Sequence, residues 1–150
     1  GMTVEEIIRD LDQMKNKISS SFIVPSADTL FRNNKVSYNV KKICETFNLH
    51  PVITVKKSKI MVSKVKSGVM KKAYMDYIRD NFKGKNNIDT RILFVTYSGC
   101  STKQLKEFKE EILKYQNFER IEFQKASATV SSNSGLGAMG VLYIKKGKGE

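Results

Sequence analysis

The chain has 150 residues, 40% of them hydrophobic and 28% charged, which suits a single domain spanning 1–150 and excludes a disordered chain. Its formal net charge of +12 calls for an anionic partner or a heavily solvated surface. The lysines are scattered over polar faces and turns, Arg is sparse and Trp is absent, so no nucleic-acid motif or aromatic reading surface organises that charge and nucleic acid is not the expected partner.

No apolar run approaches the roughly 18 residues of a membrane helix. The opening residues lack the basic region and apolar core of a signal peptide, so a cytoplasmic location is expected. Cys44 and Cys100 stand far apart and His50 is the only histidine, a pattern that gives no metal site or disulfide framework. Cys44 reads as a buried small hydrophobe. Cys100 reads as a packing residue too, although a helix N-terminus just after it could lower its pKa. With one His beside a proline and no motif of paired carboxylates, no catalytic set and no cofactor site is expected.

In chain order, Thr3 and Glu6 form a capping box ahead of an amphipathic helix whose stripe is Ile7, Leu11, Met14 and Ile18, a face that must pack on something. Ser21 to Val24 reads as a short strand stopped by Pro25, followed by a short helix with Leu30 and Phe31 and a turn at Asn33-Asn34. Val40, Ile43, Cys44 and Phe47 make a second stripe. Two β-rich runs, Val52 to Val55 and Ile60 to Val65, flank a charged turn at Lys56 to Lys59 and read as a hairpin. Met70, Ala73, Tyr74, Tyr77 and Ile78 give a third helical stripe, closed by Gly84. Arg91 to Tyr97 contains the most continuously apolar β-type segment and is expected to be the central strand, covered on both sides. Ser101 and Gln104 form a further capping box before a helix with Leu105, Phe108, Ile112 and Tyr115, and Arg120 to Gln124 alternates as a half-buried strand. Hairpins mixed with helical connections predict an α+β two-layer sandwich, a mixed and mainly antiparallel sheet with helices packed on it.

The densest chemistry lies in Ser127 to Lys146. Small hydroxyl and amide residues run to Ser134, then Gly135, Gly137 and Gly140 lead into a strand at Val141 to Ile144. This reads as a polar loop, either one that offers N–H groups and hydroxyls to a phosphate or carboxylate or one in which glycines let the chain reverse. The glycines spell G-x-G-x-x-G, but the chain ends ten residues later, so a dinucleotide site is rejected.

Four patches in order resemble the C-terminal domain of the DegV family, bacterial proteins associated with fatty-acid binding. They are Leu30 to Ser37, against a leucine-rich turn before Gly-Arg-Ile-Ser; Phe47 to Val55, against an Asn-Ile-Lys-Pro-type segment; Arg91 to Tyr97 with Gly99 and its capped helix; and Asn133 to Gly140, against His-Thr-Gly-Pro-Gly-Ala-Leu-Gly. The resemblance implies a non-enzymatic lipid-binding module that takes up a long-chain fatty acid and presents it to a fatty-acid kinase. It also implies a separate N-terminal DegV-like half, which this sequence lacks. Carried over residue by residue, Ser132, Asn133 and Ser134 would line a head-group site, and Gly135, Gly137 and Ala138 would shape it. Lys66, near an Arg position of the family, would supply positive charge or be one surface lysine among many. Ile43, Phe47, Ile53, Met70, Phe94 and Phe108 would line the tail cavity or fill the core. The family His falls on Asn133, its Pro on Leu136 and its Gly-Arg on Asn34-Lys35. A neutral amide holds a carboxylate less firmly than a cation does, which leaves an alternative: a protein-interaction or regulatory domain that has lost its ligand.

Overall fold

The computed structural model describes residues 1–56 and 59–147. Its elements in chain order are α1 (Val4–Lys17), β1 (Ile18–Ile23), α2 (Asp28–Arg32), α3 (Tyr38–Thr46), β2 (Leu49–Lys56), β3 (Lys59–Ser67), α4 (Met70–Phe82), β4 (Ile88–Tyr97), α5 (Thr102–Leu113), β5 (Arg120–Lys125), α6 (Ala128–Ser134) and β6 (Met139–Lys145). The strands form one sheet in the order β3-β2-β1-β6-β4-β5. Every pairing is antiparallel except β4 with β5, which α5 connects in parallel. This is the α+β architecture with a mixed, mainly antiparallel sheet that the sequence leads one to expect. The β2–β3 hairpin forms; the turn expected between its strands includes residues 57 and 58, which lie outside the described residues.

The two central strands, β1 and β6, sort their side chains by the two-residue period of a strand. Ser21 and Ile23 of β1, with Met139, Val141 and Tyr143 of β6, face α4 and α5. There they join Tyr74, Tyr77, Ile78, Phe82, Phe108 and Ile112 in the main core. Tyr77 is buried, and its hydroxyl donates to the Ser21 carbonyl at 2.8 Å and accepts from the Val141 amide at 3.3 Å, pinning α4 to both central strands. On the other face Phe22 and Ile53 pack with Val24, Leu30 and Ala138 in a smaller cluster.

Four sequence expectations are corrected here. The Arg91–Tyr97 segment is the core of β4, which sits next to the sheet edge rather than at its centre. Leu93 and Val95 are buried but Ile92 and Phe94 are only half-buried, because helices cover one face of β4 alone. In α1 the capping box forms, yet Ile7, Leu11, Met14 and Ile18 remain 40 to 57% exposed, because the helix meets the rest of the domain mainly along β6. In α3 only Cys44 is buried, and Ile43 and Phe47 are exposed because the helix rests one edge on β2. Finally, the stretch up to Ser134 is not a loop but α6. Ser127 caps it by accepting from the Val130 amide, and the Ser132, Asn133 and Ser134 side chains donate back to the Thr129 and Val130 carbonyls. Residues that favour turns are thus held helical by a cap and by their own return bonds.

Helix α6 ends at Gly135, with φ 82° and ψ 166°, a region essentially closed to residues with a Cβ. A Cβ there would also lie 2.9 Å from Thr29 Oγ1. On the far side of Pro25 from this turn, buried His50 lies between two carbonyl oxygens, with Nδ1 2.7 Å from that of Pro25 and Nε2 2.7 Å from that of Gly68. It ties the loop after β1 to the loop that enters α4.

Two stability changes are expected. Gly135→Ala should cost about 1–3 kcal/mol in urea unfolding through the strained backbone, and wild-type stability would contradict the tight turn. His50→Ala should cost about 1–3 kcal/mol, because the buried ring donates to one of these carbonyls and fills the space between both loops; a loss below about 0.5 kcal/mol, the usual range for surface substitutions, would show that the ring bridges nothing.

Candidate functional site

The second face of the sheet is roofed at one end only, by α2, α6 and the turn from Gly135 to Ala138. Beneath the roof lies a cavity of about 520 Å³. Its floor includes Ser20 and Phe22 of β1 and Gly140 and Leu142 of β6. Leu30, Thr129, Val130, Asn133 and Ser134 come down from the helices, and Ala138 closes the turn. The lining is mostly apolar, with hydroxyls and one amide on the α6 side.

Local chemistry fixes the roof. The Asn33 side-chain amide donates to the Thr29 carbonyl at 2.9 Å and to the Ser132 carbonyl at 3.3 Å, joining α2 to α6. Gly137 donates to the Ser98 carbonyl at 2.5 Å, Ser98 donates to Ala138 at 2.9 Å, and the Tyr74 hydroxyl donates to the Gly137 carbonyl at 2.5 Å. Burial pushes the Tyr74 phenol well above its usual pKa, so it remains a donor in this bond. A Cβ on Gly137 would stand 2.8 Å from Pro25 Cγ, so this turn sits against the loop after β1 with no room to spare.

The end of α2 places the cation of the site. Lys35 donates its amide to Leu30 and Asn34 donates to Phe31, with Asn34 at φ 55°. This pair of bonds is a Schellman closure. It delivers Lys35 to the cavity with its side chain exposed at the rim, and no carboxylate among the described residues pairs with it.

Of the residues singled out in the sequence, Asn133, Ser134 and Ala138 line the cavity together. Ser132, Gly135 and Gly137 hold the roof instead of lining the space: Ser132 through its carbonyl bond to Asn33, the glycines through their backbone. The hydroxyls of Ser132 and Ser134 are spent on helix carbonyls, which leaves Asn133 as the polar lining group of that trio with a further N–H and an oxygen to offer. Lys66 lies elsewhere, on the α4 side of the sheet. It is 14% exposed and 2.8 Å from the Asp80 carboxylate. None of Ile43, Phe47, Ile53, Met70, Phe94 and Phe108 lines the cavity: Ile53 and Phe108 are core, Met70 packs against it, Phe94 is half-buried, and the other two are exposed. Sequence reasoning missed Lys35, Phe22, Leu30 and Leu142. Phe22 and Leu142 carried a signal, since each is one strand step away from residues of the main core.

Cys100 does not have the lowered pKa that a helix N-terminus would give. Burial pushes its thiol up, as it does for Cys44. Among the described residues no three His, Cys, Asp or Glu side chains gather as a metal-ligand set, and no helix is long and apolar enough to cross a membrane.

The family described as "Uncharacterised protein, DegV family" matches residues 1–146. A DegV domain-containing protein of Clostridium perfringens is 22% identical over 144 residues, covering 96% of this chain and 49% of that protein. A DegV family protein from Eubacterium eligens, loaded with heptadecanoic acid, superposes with a TM-score of 0.78 at 16% identity, over 97% of this chain and 52% of that one. The Streptococcus pneumoniae Fatty Acid Kinase (Fak) B3 protein, loaded with linoleic acid, gives a TM-score of 0.75 at 15% identity, over 96% and 50%. The chain spans about half the length of these relatives. With the family matched over nearly every residue and the same fold in its solved members, this chain belongs to the DegV family.

Proposed function

We propose that this chain is a non-enzymatic module that binds a long-chain fatty acid, with the acyl tail in the cavity between the sheet and α6 and the carboxylate at its rim. The observation that carries the reading is an apolar cavity of about 520 Å³ bordered by the Lys35 ammonium, with which no carboxylate among the described residues pairs, and by the Asn133 amide. That volume falls within the usual range of about 300–1,000 Å³ for small-molecule sites, and a mostly apolar lining with a few polar groups at one end suits an amphiphile. The relatives loaded with heptadecanoic and linoleic acid support this class of ligand.

Lys35 takes the role of head-group cation for which Lys66 was the sequence candidate. Lys66 is held by Asp80 away from the cavity, and Lys35 stands where the family has its Gly-Arg. Ser132, Gly135 and Gly137 contribute by keeping the roof closed, and Ser134 and Ala138 by shaping the lining. A kinase that acts on the bound acid is the partner the reading implies, supported by the Fatty Acid Kinase B3 relative. So is a second DegV half, since the relatives are about twice as long. The chemistry then belongs to the kinase and not to this domain. The alternative, an interaction domain without ligand, has one observation in its favour: Leu136, where the family has Pro, is 81% exposed beside the roof turn.

Native mass spectrometry with an added long-chain fatty acid should show one acid per chain. Lys35→Gln should weaken binding about tenfold, the equivalent of about 1.4 kcal/mol, and Leu142→Trp, which fills the floor, should abolish it. A chain that stays empty with excess acid would favour the interaction reading. Asn133→His should restore a charge-assisted bond. The tightening should be present at about pH 5.5, where an ordinary imidazole is protonated, and absent at about pH 8, where it is neutral; equal affinity of wild type and variant at both values would remove residue 133 from the head-group site.

A further inference from the structure

A second recess lies on the α4 side of the sheet, where β1, β2 and β3 run on past the end of the helix. Its volume is about 1150 Å³. Six lysines line it, Lys15, Lys59, Lys64, Lys66, Lys85 and Lys145, against one carboxylate among the described residues, Asp80. Lys64 and Lys66 both reach Asp80 Oδ2 at 2.8 Å. Burial alone would raise the Asp80 carboxyl, but the two ammonium groups more than offset it and hold the carboxyl below its ordinary value. It therefore stays ionised and neutralises one charge of the six. Lys15 bonds Asp12 on the exposed side of α1. Among the described residues no carboxylate pairs with Lys59, Lys85 or Lys145.

Between the lysines, Ser21, Thr54 and Asn81 share the lining of this recess with Ile18, Val52, Val55 and Met61, and one of its polar groups is unsatisfied. Thr54 Oγ1 is buried without a hydrogen-bond partner, the only such side-chain atom among the described residues. Ser21, its neighbour across the ladder, has its hydroxyl engaged by Tyr77 at 2.9 Å and so does not serve it. A buried polar group left unpaired costs free energy, and ligand binding is one way of recovering it.

We propose that this recess binds a soluble oligophosphate anion, with the Thr54 hydroxyl donating to a phosphate oxygen on the floor and Lys59, Lys85 and Lys145 neutralising its charge from the rim. Lysines are compact point charges suited to phosphate, and their spread around the recess matches a chain of phosphates better than one carboxylate. The floor lies at the foot of a concave surface, which a small soluble anion can enter and a bilayer plane cannot. The site is separate from the lipid cavity and independent of the fatty-acid reading, because it lies across the sheet from Asn133 and Lys35.

The test is calorimetric titration of the lipid-free chain with tripolyphosphate at about 0.15 M salt, paired with amide chemical-shift mapping. Saturable binding at one site is expected, with shifts centred on Thr54 and Asn81. Thr54→Val should weaken it about threefold to tenfold, and the double variant Lys59→Gln/Lys145→Gln about tenfold or more, without needing any change in the core. The charge-matched control Lys103→Gln/Lys109→Gln, on exposed α5 positions, should stay within about twofold. The proposal is overturned by absence of saturable binding, by an equal loss in the control, by shifts centred on Asn133 and Lys35, or by binding to anionic vesicles without binding to tripolyphosphate.

Discussion

The alternation of β1 and β6 is the constraint on which the rest depends. One step along either strand carries a side chain from a sealed core to a half-open cavity. Ser21, Ile23, Val141 and Tyr143 close against α4 and α5, while Phe22, Gly140 and Leu142 form part of the opposite lining. A register slip by one residue would turn both sets over at once. The Tyr77 hydroxyl, bonded to the main chain of both strands, marks the register directly, since it meets Ser21 and Val141 where those residues oppose each other. The sheet therefore separates the main core, packed against α4 and α5, from the cavity beneath α6.

The roof of the cavity depends on small residues more than on large ones. Gly135 and Gly137 let the chain turn back within van der Waals reach of Thr29 and Pro25, and the bonds among Ser98, Tyr74, Gly137 and Ala138 hold that turn against the core. The roof of the cavity is thus anchored through the stable face of the sheet. Asn33 completes it by tying α2 to α6, and the same α2 terminus presents Lys35. Roof geometry and the position of Lys35 come from one short helix and its cap, which couples the placement of that ammonium to the closure of the cavity.

Local signals in the sequence were legible where the physics is local. Both capping boxes form between the residues the pattern names, Thr3 with Glu6 and Ser101 with Gln104. The stripe Ala73, Tyr74, Tyr77 and Ile78 is buried as its spacing requires. Where the outcome depends on partners distant in sequence, the pattern misled. An apolar run at 92–95 fits a central strand equally well as a strand next to an edge, and strand order decides between them. The stripe of α1 is amphipathic, but its period says nothing about whether a partner is at hand. In α6 the individual residues favour turns, and the helix exists through Ser127 and the return bonds of its own side chains. The cavity was least legible, because its lining comes from β1, α2, α6 and β6 together, and Lys35 enters it only through the geometry of a helix end.

The central claim is that the face of the sheet beneath α6 receives an acyl chain. Intermolecular nuclear Overhauser effects from a carbon-13-labelled long-chain fatty acid to this domain test it most directly. Contacts from the acyl methylenes to the Leu30, Ile60 and Leu142 methyl groups and to the Phe22 ring, with none to Phe108 or Ile112, are the predicted result. Contacts confined to the exposed stripe of α1, or to the core between the sheet and α5, would contradict it.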